Sequence, residues 1–552
     1  MLLIVGLDGA TLDLIEPWAA DGTLPHLGRL LGQGAWGRLA STIPPATLPS
    51  WTTFMTGVNP GRHGIYDFTR RRGGDYAVRF VNATYRKAPT IWRMLSQAGR
   101  RVCVLGLPGT YPPEAVNGYM ISGFDTPVTT RADASFVYPP AFAEEVAAAG
   151  GFPFADFQEF NLGPGWHAQA CRSLCDGIDR KVSLAERLLR REPWDCFLLL
   201  FGESDTAAHH FWAMHDTASP RHAGAATTTT LGNPLRTVYA ALDAALGRLT
   251  AAAPDAAVLV VSDHGFGGAG TTGIRVNRWL AEQGDLAFAA GAPRARWAGR
   301  LRTTAVRAIP ESWQARCFRL AGGRLASRVE SSVRFGGIDW AHTRAFSEEL
   351  NYFPSLWLNV RGRERCGTVA VRDYEPVREQ LAARLLAWRD PLHDAAVVRQ
   401  VWAREALYAG PHVALAPDLL FEFNTPDGYS YVGLPSYGAE GAAIEALDPT
   451  VLGGKLAGMS GSHRADGLFA LRAPGVRPGQ FTGAHIVDLA PTILSLCGVA
   501  GGADWDGRCL AVLAHTELER VPVAEGTGAE VGHGQAETLE LERRLMRLGY
   551  LA

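Results

Sequence analysis

The sequence lacks any apolar run approaching the roughly 20 residues that span a bilayer. It opens MLLIVGLDGA, where about six apolar residues meet an acidic one and no basic segment precedes them. That stretch reads as a buried strand rather than a signal peptide. Disulfide-forming patterns are also missing. The eight cysteines are scattered over 552 residues, none in a C-x-x-C pair, and Cys196 lies inside the apolar run CFLLLF. Such usage fits a reduced, cytoplasmic chain with buried thiols. Charge of one sign is lacking too. Fifty-three basic residues face 55 acidic ones, for a net charge of -2, which argues against a nucleic-acid scaffold or an acidic tail. Neither a membrane nor a nucleic acid is therefore an expected partner. Internal repeats are absent.

What is present is alternation. The runs LLIVGL (Leu2–Leu7), VCVLGL (Val102–Leu107), CFLLLF (Cys196–Phe201) and AVLVV (Ala257–Val261) are continuously apolar. Strands of that kind suit a parallel sheet covered on both faces. Helical stretches fall between them, at Leu24–Leu31, Ala88–Ala98, Ser173–Arg190 and Pro234–Ala252. The rhythm predicts an α/β fold with a doubly wound, mostly parallel sheet flanked by helices. It spans residues 1–272 and 340–514, with strand-like Tyr352–Val360, a helix at Tyr374–Trp388 and a last core helix at Val487–Cys497. Residues 273–339 break the rhythm, are basic and read as a helical cap. Residues 515–552 read as a polar tail closing on a helix, TLELERRLMRLGYL.

In open α/β sheets ligands bind beyond the carboxyl ends of the strands, so the residues after each apolar run carry the interest. Asp8 follows the first run in LDG. Asp205 and His209 follow the third in GESDTAAHHFW, one helical turn apart. Asp263 and His264 follow the fourth in SDHGF. Far downstream His463 sits in the Gly-flanked GMSGSHRADG. Taken singly, an Asp at a strand end is a cap or turn residue, and Thr47, just before Pro49, is a helix N-cap. His63 and His210 read as structural, and Trp51 and Trp212 as packing or as faces on which a base could stack. Taken together, three Asp, three His and Thr47 exceed one tetrahedral site and suit two divalent ions sharing a substrate. Zn²⁺ takes such mixed nitrogen and oxygen ligands; Mn²⁺ and Fe²⁺ also fit.

With those motifs in hand, the chain resembles the alkaline phosphatase superfamily, in its type I phosphodiesterase/nucleotide pyrophosphatase branch. The resemblance rests on VGLDG, PPATLPSWTTFMTGVNPGRHGI, SDTAAHHFW, SDHGF and GSHRADG, with WLNVRGRERCGTV near residues 357–369 and the closing LERRLMRLGYL. It implies an alkaline phosphatase-like core and two metal ions. One would be held by Asp8, Asp263, His264 and Thr47, the other by Asp205, His209 and His463. Thr47 would be the nucleophile, forming a covalent phospho-threonine while a small phosphodiester, nucleotide-like or otherwise, is cleaved.

Two departures bound that implication. The sulfatase turn C/S-x-P-x-R reads T-L-P-S-W here, without the formylglycine precursor or the Arg. Many nucleotide pyrophosphatases place an Asn shortly after H-G-I to hold a phosphate oxygen, whereas here Tyr66, Asp67 and Phe68 follow Ile65. The Leu48 backbone N–H is one replacement donor. On the same residues, a phosphonate or phosphomonoester hydrolase (with Arg294, Arg296, Arg300 and Arg302 meeting extra charge), a phospho-group transferase and a non-catalytic metal-binding protein are the alternative readings.

Overall fold

The computed structural model describes residues 1–71, 74, 76–126, 134–155, 165–222, 232–289, 335, 337–349, 351, 353–436, 438–452, 458–501, 505–513, 530, 538 and 541. Nine strands position the site: β1 (Leu2–Leu7), β2 (Ala35–Ala40), β3 (Val102–Leu107), β4 (Gly118–Ser122), β5 (Cys196–Phe201), β6 (Ala257–Ser262), β7 (Gly265–Ile274), β8 (Gly461–Arg464) and β9 (Asp466–Arg472). Five helices matter with them: α1 (Thr47–Thr56), α2 (Trp166–Arg191), α3 (Glu203–His215), α4 (Pro234–Ala252) and α5 (Leu489–Leu496).

The main sheet has ten strands. Its path runs Gly479–Gln480, β2, β9, β6, β1, β5, β3, β4, Val137–Tyr138, with Ala484–His485 also paired to β2. The centre, from β6 to β4, is parallel. β9 enters antiparallel between β2 and β6, and Val137–Tyr138 is antiparallel to β4. The sheet is therefore mixed around a parallel core. Alternate residues of β1 explain the layering. Leu3, Val5 and Leu7 pack under α2 and α4, whereas Leu2 and Ile4 pack under α1 and α5. Both faces are covered, which is why β1, β3 and β5 read as unbroken apolar runs.

The expected helices stand where the periodicity put them, with shifted ends. The stretch from Ser173 begins earlier, at Trp166, and the Leu24–Leu31 segment is Pro25–Gln33. Residues 345–423 do not extend the main sheet. Ala345–Phe346, Ser355–Leu358, Leu419–Phe423 and Val398–Ala403 pair in that order into a second, four-stranded sheet. Tyr374–Leu386 covers it and the helix Val276–Glu282 shares its apolar core. Arg294, Arg296, Arg300 and Arg302, residues 223–231 with the TTTT run, and all of the closing helix except Thr538 and Leu541 lie outside the described residues. No helix among the described residues is long and apolar enough to cross a membrane.

Candidate metal centre

Parallel register decides where the chemistry gathers. Leu7 pairs with Phe201, and Gly6 with Val261, so β1, β5 and β6 end side by side. Asp8, the start of α3 and Asp263 consequently leave the sheet at one edge. α3 carries Asp205 and His209 on one face, one turn apart. His463 arrives by another route. β8 runs antiparallel to β7 with His463 opposite Phe266, next to His264, and the two imidazoles stack with centroids 3.8 Å apart.

All seven sequence-derived residues meet there. His264 Nε2 lies 3.5 Å from Asp8 Oδ1 and 3.5 Å from Asp263 Oδ2. Asp205 Oδ1 lies 3.4 Å from His463 Nε2 and 3.6 Å from His209 Nε2. The Thr47 hydroxyl donates to Asp8 Oδ1 at 3.4 Å and stands 3.5 Å from His264 Nε2. Two clusters satisfy the distance needs of an ion, Asp8–Asp263–His264 and Asp205–His264–His463. All of these residues except the partly buried His463 are sealed from solvent.

Thr47 is not the cap of its helix. The N-cap is Ala46, extended and without a side chain to donate or accept, and Thr47 is the first helical residue. Its hydroxyl is therefore not engaged in capping.

The donor chemistry fits divalent cations. His209, His264 and His463 each turn Nδ1 toward a backbone carbonyl, of Gly461, Gly265 and Pro45 respectively. A carbonyl only accepts, so Nδ1 carries the proton and the three Nε2 lone pairs point inward, the ligand tautomer. His209 Nε2 and His463 Nε2 are 3.0 Å apart; two facing lone pairs repel unless a cation or proton lies with them. Asp263 Oδ1 accepts from the Gly9 N–H, but Oδ2 is buried with no hydrogen bond. Like unit charges 4 Å apart repel by about 4 kcal/mol at an effective dielectric near 20. A divalent ion converts such repulsions into attractions.

The electrostatics follow. Burial, then the Asp205 charge, pushes the Asp8 carboxyl well above its ordinary value. Burial, then Asp8, does the same to Asp263. Burial also pushes Asp205 upward, but His209, His463 and His264 outweigh it and hold that carboxyl low. Burial lowers His209 to about 3 and His264 well below its usual range, so both imidazoles are neutral at pH 7.

Several neighbours carry roles that sequence reading did not assign. The Trp51 indole N–H donates to Asp8 Oδ2 at 3.1 Å, and its ring is fully buried, edge-on to Phe54. It orients a carboxylate and is not free to stack on a base. Trp212 packs on Phe266, and His210 meets the Trp166 ring edge-on. His63 accepts from the Ile65 N–H at Nδ1 and faces Thr53 Oγ1 at 2.9 Å through Nε2, a structural pairing. Gly9 has φ +63, and a Cβ there would come within 3.0 Å of Asp205 Oδ1, so only glycine fits between β1 and α3. The Gly in LDG and the Trp two residues after Pro49 were the sequence signals for these parts.

The family model described as type I phosphodiesterase / nucleotide pyrophosphatase matches residues 2–438. The chain belongs to that family. The family is metal-dependent, and the chain is accordingly a hydrolase of the phosphodiesterase/pyrophosphatase type with candidate ligand groups to match. No curated protein matches the sequence. Among solved structures, phosphonoacetate hydrolase from Sinorhizobium meliloti 1021 in complex with phosphonoformate is similar at 17% identity and a TM-score of 0.53, covering 90% of this chain and 95% of that one. Human ectonucleotide pyrophosphatase / phosphodiesterase 5 is similar at 14% identity and a TM-score of 0.46, covering 92% and 96%. The first shares the alkaline phosphatase-like fold.

Proposed function

We propose that this chain is a two-ion phosphodiesterase with Thr47 as its nucleophile, acting on small nucleotide-like or other phosphodiesters in the cytoplasm. The observation that carries the reading is the position of Thr47 Oγ1. It heads a helix without capping it and lies between Asp8 Oδ1 and His264 Nε2. One ion would be held by Asp8, Asp263, His264 and Thr47, the other by Asp205, His209 and His463, with Zn²⁺ the metal their donors suit best. When bound, such ions lower the pKa of a coordinated hydroxyl and neutralise charge on the attacking and departing oxygens.

The chain's own residues do the rest. Trp51 and the Gly9 N–H fix the Asp8 and Asp263 carboxylates, leaving Asp8 Oδ1 toward the Thr47 hydroxyl and Asp263 Oδ2 toward His264 Nε2. Thr47 Oγ1 attacks phosphorus in line as the P–O bond to one ester alcohol breaks, its proton leaving with that alcohol. Water then cleaves the phospho-threonine P–O bond, releasing the phosphomonoester and restoring the hydroxyl. After H-G-I stand Tyr66, Asp67 and Phe68 in place of an Asn; Phe68 is buried in one apolar cluster with Leu48 and Phe124, and the Tyr66 hydroxyl is spent on the His412 carbonyl. The first-turn N–H of Leu48 would then hold the non-bridging oxygen; Pro49 has none to offer. The free thiols of the seven described cysteines agree with a reducing compartment.

The test is a paired assay of Zn²⁺-loaded protein on bis-(p-nitrophenyl) phosphate and p-nitrophenyl phosphate, with Thr47→Ala as control. Preference for the diester, lost in the variant, is the expected result. Preference for the monoester would move the assignment to a phosphatase. Turnover independent of Thr47 would remove the nucleophile from the reading.

A further inference from the structure

Beneath the first turn of α3 lies a charge pair to which the reaction assigns no part. Lys181 Nζ on α2 sits 2.8 Å from Glu203 Oε1 and 2.9 Å from Oε2, with side-chain exposures of 3% and 0%. The ammonium is boxed by aromatic faces, 5.5 Å from the Phe152 centroid and 5.8 Å from that of Phe201. α2 carries Gly177 one turn earlier, where a Cβ would come within 3.2 Å of Glu203 Oε1. Both side chains are enclosed by these neighbours.

Such a pair is a poor way to gain stability. Desolvating both charges costs about what their attraction returns, and apolar side chains of similar volume do as well or better. Its use has to come from where it sits. Glu203, Ser204 and Asp205 are consecutive and all buried. Glu203 ties the start of α3 down to α2. Ser204 Oγ donates to the Asp8 carbonyl at 2.7 Å and ties it to β1. Asp205 is left facing the imidazoles. One turn on, the Ser460 N–H donates to the His209 carbonyl at 2.9 Å, and His209 Nδ1 donates to the Gly461 carbonyl at 3.1 Å. α3 is thus pinned on both sides of its two candidate ligands, at the Asp205 end by a charge that cannot relax into water. Glu203 also lies in the first helical turn, where the helix dipole favours a carboxylate.

We propose that Lys181 and Glu203 are positioning residues for one ion only, the one held by Asp205, His209 and His463. The inference rests on the two-ion reading above. Asp8, Thr47, Asp263 and His264 sit on other elements and make no hydrogen bond to the pair among those described. The one link from this turn to them runs through Ser204 to the Asp8 backbone carbonyl rather than its carboxylate, so the ion they hold is served less directly.

The test is Zn²⁺ titration of the full-length, metal-stripped chain against a chromophoric chelator, with Tm measured in parallel. Lys181→Met and Glu203→Gln are each expected to weaken one of two ions by about 10–100-fold, the range for losing an outer partner of a ligand, and to leave the other within about threefold. Because either single variant strands a buried charge and can fail to fold, the double variant K181M/E203M decides. Its core is apolar and its Tm should stay at or above wild type, yet one ion should remain weak. Wild-type affinity for both ions in the folded double variant, or equal weakening of both, overturns the inference. Wild-type protein that takes up fewer than two ions instead overturns the two-ion reading beneath it.

Discussion

The two halves of the candidate centre are built from opposite chemistries. The half formed by Asp8, Asp263, His264 and Thr47 is rich in oxygen, and its two carboxyls are pushed up by burial first and then by a neighbouring charge, Asp205 on Asp8 and Asp8 on Asp263. The half formed by Asp205, His209 and His463 is rich in nitrogen. Its single carboxyl is held low by the imidazoles, and His209 is neutral far below pH 7. The lesson is about protons. In the first half burial biases the carboxyls toward their protonated form, against an entering ion, whereas in the second Asp205 and His209 are biased toward the deprotonated form that binds one.

The largest expected effect cuts across both halves. Thr47→Ala should lower kcat on a diester by about 10³-fold or more and leave two ions bound, read by steady-state kinetics beside metal analysis. The next separates the halves. Asp263→Asn and His463→Ala should each remove one ion, by at least about 100-fold in affinity, and competition titration of the two variants should show that different ions are lost. A single shared loss would collapse the comparison.

Acid–base behaviour sharpens it. Because burial raises the Asp8 and Asp263 carboxyls when no ion is present, affinity in the first half should climb with pH through their raised range, by up to about tenfold per pH unit for each proton released. Asp205 and His209, both held low, should add little to that dependence. Calorimetry in buffers of different ionisation enthalpy counts the protons, and Asp263→Asn should abolish most of the release while His463→Ala keeps it. The smallest effect lies outside both halves. His63 is lowered to about 3 by burial, from an ordinary value of 6.5. The unfolded chain therefore binds its proton first, and stability falls as pH drops from about 6.5 toward 3. His63→Gln should cost about 1 kcal/mol at pH 7, from the lost hydrogen bonds, and flatten that acid limb, as seen in denaturant melts.

Much of this was legible in the sequence because burial on both faces leaves a simple trace. LLIVGL, VCVLGL and CFLLLF could be read as central parallel strands, and the residues just after them as one edge. Ala35–Ala40 and Asp466–Arg472 gave no such trace. They flank the parallel core, with Arg38 and Asp466 exposed, and their pairing is antiparallel. The sheet of 345–423 was legible only in part: the strand-like stretch that holds Ser355–Leu358 could be read, whereas strands as short as Ala345–Phe346 carry too few residues for a period. Thr47 read alone as a cap because local pattern cannot tell N-cap from first helical residue; the extended Ala46 takes that place. Trp51 read as packing or as a stacking face, and its role on a carboxylate was not visible because its partner, Asp8, is 43 positions away. Lys181 and Glu203 raised no signal, being ordinary residues of amphipathic helices until the fold brings them together.

The hairpin-like pairing of β7 with β8 also sets an order of manufacture. Asp8, Thr47, Asp263 and His264 have all left the ribosome some 200 residues before His463. The strand that follows it, β9, must then slide between β2 and β6 to close the main sheet. During synthesis the oxygen-rich half can gather while the nitrogen-rich half still lacks a member. A nascent chain therefore lacks a member of the nitrogen-rich half until β8 emerges, and β8 delivers that imidazole immediately ahead of the separate strand that completes the sheet.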